Sequence, residues 1–334
     1  MCLKLSENCD ISCNKIYWYI FNHEKLKLCK IKRDDLNERI FNELLEKRFI
    51  NHNVIKNKYV NDLLDNGFLV LSKIEDHPKS YYNKRQELYL RYLHDKNKNY
   101  SMDEYYALIK NSHVTIIGCG AIGSYLAMLL SAIQIGKLTL IDGDVVDESN
   151  LMRQLFFDYN DIDKSKVNSL KKKVISNSKK TEVDTIDKFI DISNCSNILS
   201  KSDLIIQTAD TPKIVLDLIV EKWADKNDVP VLFTHRNTIG PLYIPGESIG
   251  YSYFIKKINK QTDGAYIEFL KTLDFHSVNN YPAIPHGPLL IAHYLYDEVL
   301  SYITKYKETR TINRIIGIGP CEVKEIMSYA NNEL

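Results

Sequence analysis

VTIIGCGAIGSYLAMLLSAIQIGKLTLIDGDVVDESNLMRQ, residues 114–154, is the stretch from which the fold of this chain is read. Val114 to Ile117 is the short apolar, β-branched run that a buried parallel strand needs. Gly118, Gly120 and Gly123 follow at once, ahead of an apolar helix expected to begin near Ser124. Glycines in this context allow a tight turn and bring backbone N–H groups up to a phosphate, while the helix N-terminus adds partial positive charge. A second apolar strand, Leu138 to Ile141, delivers Asp142 about 20 residues further on, where a carboxylate accepts hydrogen bonds from ribose hydroxyls.

The glycines and Asp142 alone would equally suit a nicotinamide oxidoreductase. The residues that follow fit it less well. Asn150, Arg153 and Gln154 arrive as SNLMRQ, and Lys166 follows in DKSKVNSL. Arginine offers a planar fork to phosphate oxygens, and lysine a point charge that follows charge developing on a transferred group, so this set suits a nucleoside triphosphate. Asp210, in TADTP, comes directly after the apolar strand Leu204 to Ile206. At the carboxyl end of a parallel strand it lies over the ligand crevice, where it can hold magnesium.

The set GCGAIG, IDGD, SNLMRQ, KSKV and TADT, in this order, resembles the adenylating superfamily of ubiquitin-activating enzymes and activators of sulfur-carrier proteins. The resemblance covers roughly residues 110–250. It implies that Gly118, Gly120 and Gly123 line an ATP site, Asp142 holds the ribose, and Asn150, Arg153, Gln154 and Lys166 contact phosphates, with Asp210 binding magnesium. The implied chemistry is attack of a carboxylate on the α-phosphate, giving an acyl adenylate and pyrophosphate. The stretch GPLYIPGESIGY, residues 240–251, and the amino-terminal extension are similar to the peptide-modifying members that make microcin C and pantocin A. That similarity implies a ribosomally made precursor peptide whose carboxyl or carboxamide group is adenylated, followed by cyclisation or by attachment of AMP. It also implies a homodimer in which an arginine of one subunit reaches the γ-phosphate in the other, with Arg85 and Arg91 as candidates. Other readings are activation of a ubiquitin-like or sulfur-carrier protein, and a nucleotide-dependent peptide-binding protein without chemistry.

Composition sets the bounds. The 334 residues, 44% of them hydrophobic, are enough for one substantial domain and a smaller one. A net charge of +1 and a sequence pI near 7.6 give no overall field for nucleic acid or membrane. No apolar run has bilayer length, and MCLKLSENCDISCNK lacks the apolar core of a signal peptide, so a cytoplasmic protein is expected. Seven cysteines contain no CxxC pair, which favours free thiols. Many relatives hold zinc with two CxxC pairs. Here Tyr251, Ser252, Tyr253 and Phe254 stand at the first, the second is missing, and no zinc is expected.

The expected architecture is α/β: a Rossmann-like open, mainly parallel sheet with helices on both faces, plus a small N-terminal winged-helix-like peptide-binding module. Residues 1–80 form the module, 81–110 a linker and helix with the candidate arginine finger, and 111–334 the ATP-binding adenylation domain. Within the module, KYVNDLLDNGFLVLSK (58–73) reads as a helix stopped at Gly67 and then a strand. An open sheet edge there could take the peptide as an added strand. Ser165 to Val174 and Lys213 to Lys226 read as helices, Val231 to Thr234 as a strand, and Gly240 to Phe254 as a turn-linked β segment. Residues 256–288 show no clear periodicity, although His276 and His286 there are candidates for proton transfer, the chemistry to which imidazole is suited. Leu289 to Ile303 reads as a helix and Arg314 to Ile318 as a final strand. No cysteine occurs between Cys195 and Cys321, which argues against a thioester on that connection.

Overall fold

Alternating apolar and polar side chains build the amino-terminal unit. In the strand Tyr17–Asn22, every second side chain, beginning with Trp18, is buried, the period of a strand with one face on a core. The computed structural model describes residues 2–6, 9–47, 49–72, 89–90, 92–94, 96–97, 99–212, 214–272, 285–319 and 323–328. They divide into two compact units, Met1–Tyr92 and Leu93–Leu334.

The first unit contains β1 (Cys2–Leu5), β2 (Cys9–Cys13), β3 (Tyr17–Asn22), β4 (Lys27–Lys32), α1 (Asp35–Lys47), β5 (Phe49–Asn51), α2 (Lys58–Asp65) and β6 (Leu69–Ser72). The strands form two antiparallel three-stranded sheets, β5-β1-β6 and β2-β3-β4. Leu3, Trp18, Phe41, Leu44, Ile50 and Leu63 meet in one core, with Trp18 and Phe41 ring centroids 5.5 Å apart. The helix and strand read from residues 58–73 are present as α2 and β6, and Gly67 turns the chain between them with φ +73°. The unit is richer in strand than its sequence suggests, because β4 shows only Ile31 fully buried among lysines.

The second unit continues with α3 (Met102–Asn111), β7 (His113–Ile117), α4 (Ala121–Ala132), β8 (Lys137–Ile141), α5 (Lys166–Asn177), β9 (Glu182–Ile186), α6 (Cys195–Ile198), β10 (Leu204–Gln207), α7 (Val215–Asn227), β11 (Val231–His235) and β12 (Thr238–Tyr243). Then come α8 (Tyr251–Gln261), α9 (Ala265–Thr272), α10 (His286–Thr304), β13 (Arg314–Ile318) and β14 (Val323–Ser328). One sheet runs β14-β13-β12-β11-β10-β7-β8-β9. From β11 to β9 the neighbours are parallel, and β12, β13 and β14 add on antiparallel. Side-chain alternation splits the core. Ile117, Ile141, Ile205, Val231 and Phe233 point to the face covered by α6 to α9. On the other face α10 packs on α4 and α3, and α4 on α5. This is the Rossmann-like open sheet expected.

Two local readings change. α4 begins at Ala121, not near Ser124, so Gly123 lies inside its first turn. The β segment expected to reach Phe254 ends at Tyr243, and Tyr251 opens α8. Tyr251, Phe254, Ile255 and Ile258 recur at helical spacing. The helix start is fixed from a distance, because the Glu221 carboxylate accepts from Ser252 N at 2.8 Å. Tyr251 stacks on Phe233 with centroids 5.4 Å apart, so aromatic packing also holds the start of α8.

Candidate active site

In an open α/β sheet, ligands bind beyond the carboxyl ends of the strands, where neighbouring connections diverge to opposite sides. Here that point lies between β7, followed in space by β8 and β9, and β10, followed by β11. The two strand ends touch. A Cβ on Gly118 would lie 2.6 Å from Ala209 N, and Gly118 has φ +89°, so glycine is required on both steric and conformational grounds. Thr208 Oγ1 donates to Gly118 O at 2.6 Å. Gly123 is equally constrained, since a Cβ there would sit 1.9 Å from Gly118 O.

Gly120 is different. A Cβ on it would meet only Gln154 Nε2, at 3.9 Å, so protein packing leaves room for a side chain there. Gly120 is the N-cap of α4 and no side chain caps that helix, which leaves its first N–H groups to an anion. Next to it Gln154 is buried, yet its Oε1 has no hydrogen-bond partner among the described residues, and Ser165 Oγ at the start of α5 is likewise buried and unpartnered among them. Buried polar atoms normally find partners. An orphaned amide oxygen beside an open glycine and an uncapped helix suits a polar ligand such as a nucleotide.

Asp142 anchors this loop. Its two oxygens accept from Cys119 N at 2.6 Å and Asp144 N at 2.8 Å. Burial pushes its carboxyl above the usual carboxylate range, and the nearby Lys166 charge and these backbone donors oppose the rise. Lys166, the first residue of α5, is 7% exposed, and its ammonium lies 2.7 Å from Asp144 Oδ2. The second aspartate of IDGD therefore holds the lysine in place, a role the sequence did not reveal.

The SNLMRQ segment forms a 3₁₀ turn, Glu148–Asn150. Asn150 is buried, and its Oδ1 accepts from Asp147 N at 3.4 Å. Arg153 donates to Ser149 O at 3.0 Å, while its own carbonyl accepts from Tyr125 Oη of α4 at 3.0 Å. The glycine loop and this segment are thus tied together by Tyr125 and by Gln154 beneath Gly120. Asp210 is exposed at the end of β10, one residue beyond the Ala209 that touches Gly118. The structure brings together Gly118, Gly120, Gly123, Asp142, Gln154 and Lys166, with Arg153 and Asp210 on the adjoining loops. Arg85, Arg91 and His276 lie outside the described residues, and His286 opens α10.

Sequence reasoning also missed a buried network under the Asp210 loop. Gln207 Nε2 donates to Ala209 O at 2.9 Å and to Asp217 Oδ1 at 3.0 Å, and Gln207 Oε1 accepts from Ala209 N at 3.1 Å. A glutamine inside an apolar strand, LIIQ, is the signal that could have pointed to it.

Residues 96–324, well over half of the chain, match the ThiF family. The chain belongs to the ThiF family. Over 102 residues it is 33% identical to a probable molybdopterin-synthase adenylyltransferase of Porphyra purpurea, covering 30% of this chain and 27% of that protein. Over 145 residues it is 33% identical to the adenylyltransferase and sulfurtransferase UBA4 of Scheffersomyces stipitis, covering 40% of this chain and 33% of that one. The matches thus span about a third or less of these curated relatives. Solved structures align over far more of the chain. Escherichia coli MccB with ATP has a TM-score of 0.68 at 21% identity, covering 99% of this chain and 98% of that one. MccB with AMPCPP and MccA has a TM-score of 0.66 at 22% identity, with the same coverage. PaaA has a TM-score of 0.62 at 23% identity, covering 86% of this chain and 94% of that one. Identities this low establish a shared fold. The likeness in fold to MccB extends over nearly the whole chain.

Proposed function

We propose that this chain is an ATP- and magnesium-dependent enzyme that adenylates a carboxyl or carboxamide group of a ribosomally made precursor peptide. The observation that carries the reading is the convergence, at one strand switch point, of an open Gly120, the orphaned Gln154 Oε1, the buried Lys166 and the exposed Asp210. Gly120 and the uncapped N-terminus of α4 would receive phosphate oxygens, and Asp142 the ribose. Arg153 and Lys166 would offset charge at the reacting α-phosphate. Among the described residues no group of three acidic, histidine or cysteine side chains could hold a metal ion. Asp210 with the phosphates themselves is the arrangement magnesium ordinarily accepts.

The adenylyltransferase names of the sequence relatives support adenylation. A peptide substrate is supported by likeness to MccB over nearly the whole chain, since MccB is seen with MccA. The amino-terminal unit would hold the leader of such a peptide, and the chain would work as a homodimer with Arg85 or Arg91 reaching the partner's nucleotide. Exposed Met152, Leu155 and Tyr159 around Arg153 suit coverage by a second copy. Activation of a carrier protein is the second reading, favoured by the relatives named adenylyltransferase and sulfurtransferase. Its thioester form finds little support, because no cysteine stands between Cys195 and Cys321.

The test is mass spectrometry of the peptide encoded by a short reading frame beside the gene, after incubation with enzyme, ATP and magnesium. Gain of an AMP mass or loss of water is expected. An unchanged peptide, with pyrophosphate released only when a carrier protein is added, would overturn the reading.

A further inference from the structure

Adenylation of a carboxylate needs no base, since the nucleophile is already an anion, but the step that follows does. That step deepens the adenylation reading above: loss of water from the peptide follows when an amide nitrogen of the same peptide attacks the acyl adenylate, and that nitrogen must lose a proton. Arg153 and Lys166 are cations, Asp142 is occupied by backbone N–H groups, and Asp210 is assigned above to magnesium, so none of these takes it.

His235 stands where such a group would be needed. It ends β11, the strand beside β10, at the carboxyl end of the sheet. Gln207 pairs with Phe233, so His235 is two residues past that pair and Asp210 three. Its side chain is 29% exposed, while Nε2 is buried without a hydrogen-bond partner among the described residues and lies 3.6 Å from Asp217 Oδ2. Asp217, on α7, is 1% exposed, and its other oxygen is fixed by Gln207. Tyr251 packs against the imidazole with centroids 5.2 Å apart. A buried carboxylate is costly to keep in a core unless polar groups face it, and here Gln207 and the imidazole do. Burial pushes the Asp217 carboxyl up, and His235 is the largest influence opposing the rise.

We infer that His235 is the general base of the step after adenylation, with Asp217 as its positioning residue. Asp217 selects the tautomer with the proton on Nε2, which leaves the Nδ1 lone pair for the substrate. The amide nitrogen forms a bond to the acyl carbon, the carbon–oxygen bond to AMP breaks, AMP departs with that electron pair, and the nitrogen's proton passes to Nδ1 and then to water. The 3.6 Å gap is longer than a hydrogen bond and closes when imidazolium forms. Gln207 links the base to the magnesium loop, because it holds both Asp217 and Ala209.

This rests on the adenylation reading, and the experiment separates the two. Peptide-dependent exchange of pyrophosphate into ATP reports the first step, and appearance of the final peptide product the second. In His235→Ala the ratio of second-step to exchange rate falls about 10²-fold, and added imidazole restores part of it. Asp217→Asn lowers the same ratio without imidazole rescue. An unchanged ratio in both variants, or a fall in His235→Ala that imidazole leaves untouched, overturns the inference. Absence of peptide-dependent exchange in the wild-type enzyme overturns the adenylation reading and this inference with it.

Discussion

Replacing Asp210 or Arg153 by Ala is expected to lower peptide-dependent pyrophosphate release by about 10²-fold or more while leaving the fold intact. The two side chains do little for stability. Asp210 is exposed, and its carboxylate accepts only a 3.5 Å contact from the neighbouring Thr211 hydroxyl. The Arg153 guanidinium donates to Ser149 O within its own turn. Removing either should shift thermal unfolding little, since surface changes away from caps and networks cost roughly 0.5 kcal/mol or less. Loss of one charged donor or metal ligand at a reacting phosphate, by contrast, costs about 2.7–4 kcal/mol of barrier. Steady-state pyrophosphate release with peptide present, alongside a melting curve, measures both halves. Turnover near wild type in either variant would remove that residue from the site.

The glycines separate folding from binding. Gly123→Ala places a Cβ 1.9 Å from Gly118 O, a backbone atom that can move only if the glycine loop leaves α4. Overpacking of this kind costs about 3 kcal/mol or more, which for a unit of this size is a melting shift of roughly 6–12 °C. Gly120→Ala meets nothing closer than Gln154 Nε2 at 3.9 Å and has φ −71°, so the melting temperature should hold. If phosphate oxygens approach the backbone at Gly120, the added methyl should weaken ATP binding about tenfold, equal to about 1.4 kcal/mol. Calorimetric melting and ATP titration of the two variants check this. Equal melting shifts, or undiminished ATP affinity in Gly120→Ala, would contradict the placement.

Local chemistry was legible in the sequence, and tertiary chemistry was not. The glycines, Asp142 and the apolar strands announce themselves because turn geometry and strand period are written in consecutive residues. The pairing of Lys166 with Asp144 spans 22 residues, and that of Asp217 with Gln207 spans 10. Neither leaves a local pattern. The first turn of α8, Tyr251 to Phe254, falls in a segment whose Pro241, Pro245 and Gly246 suggest turn-linked β structure, because Glu221 of another helix supplies the hydrogen bond that starts it. The strands of residues 2–32 are obscured by the exposed lysines of β4 and by Lys4 and Asn22, polar residues that the fold buries. His235 was passed over for a related reason. The histidines in the unpatterned segment attracted a catalytic reading, whereas the one at a strand end acquires its meaning only from the carboxylate beneath it.

The account rests on ATP being activated for a peptide, and radiolabelled pyrophosphate exchange into ATP, with and without the precursor peptide, tests that most directly. Exchange that requires both the peptide and magnesium, and disappears in Asp210→Ala, is the predicted result. Exchange supported by a carrier protein and not by the peptide, or none with either, would contradict it.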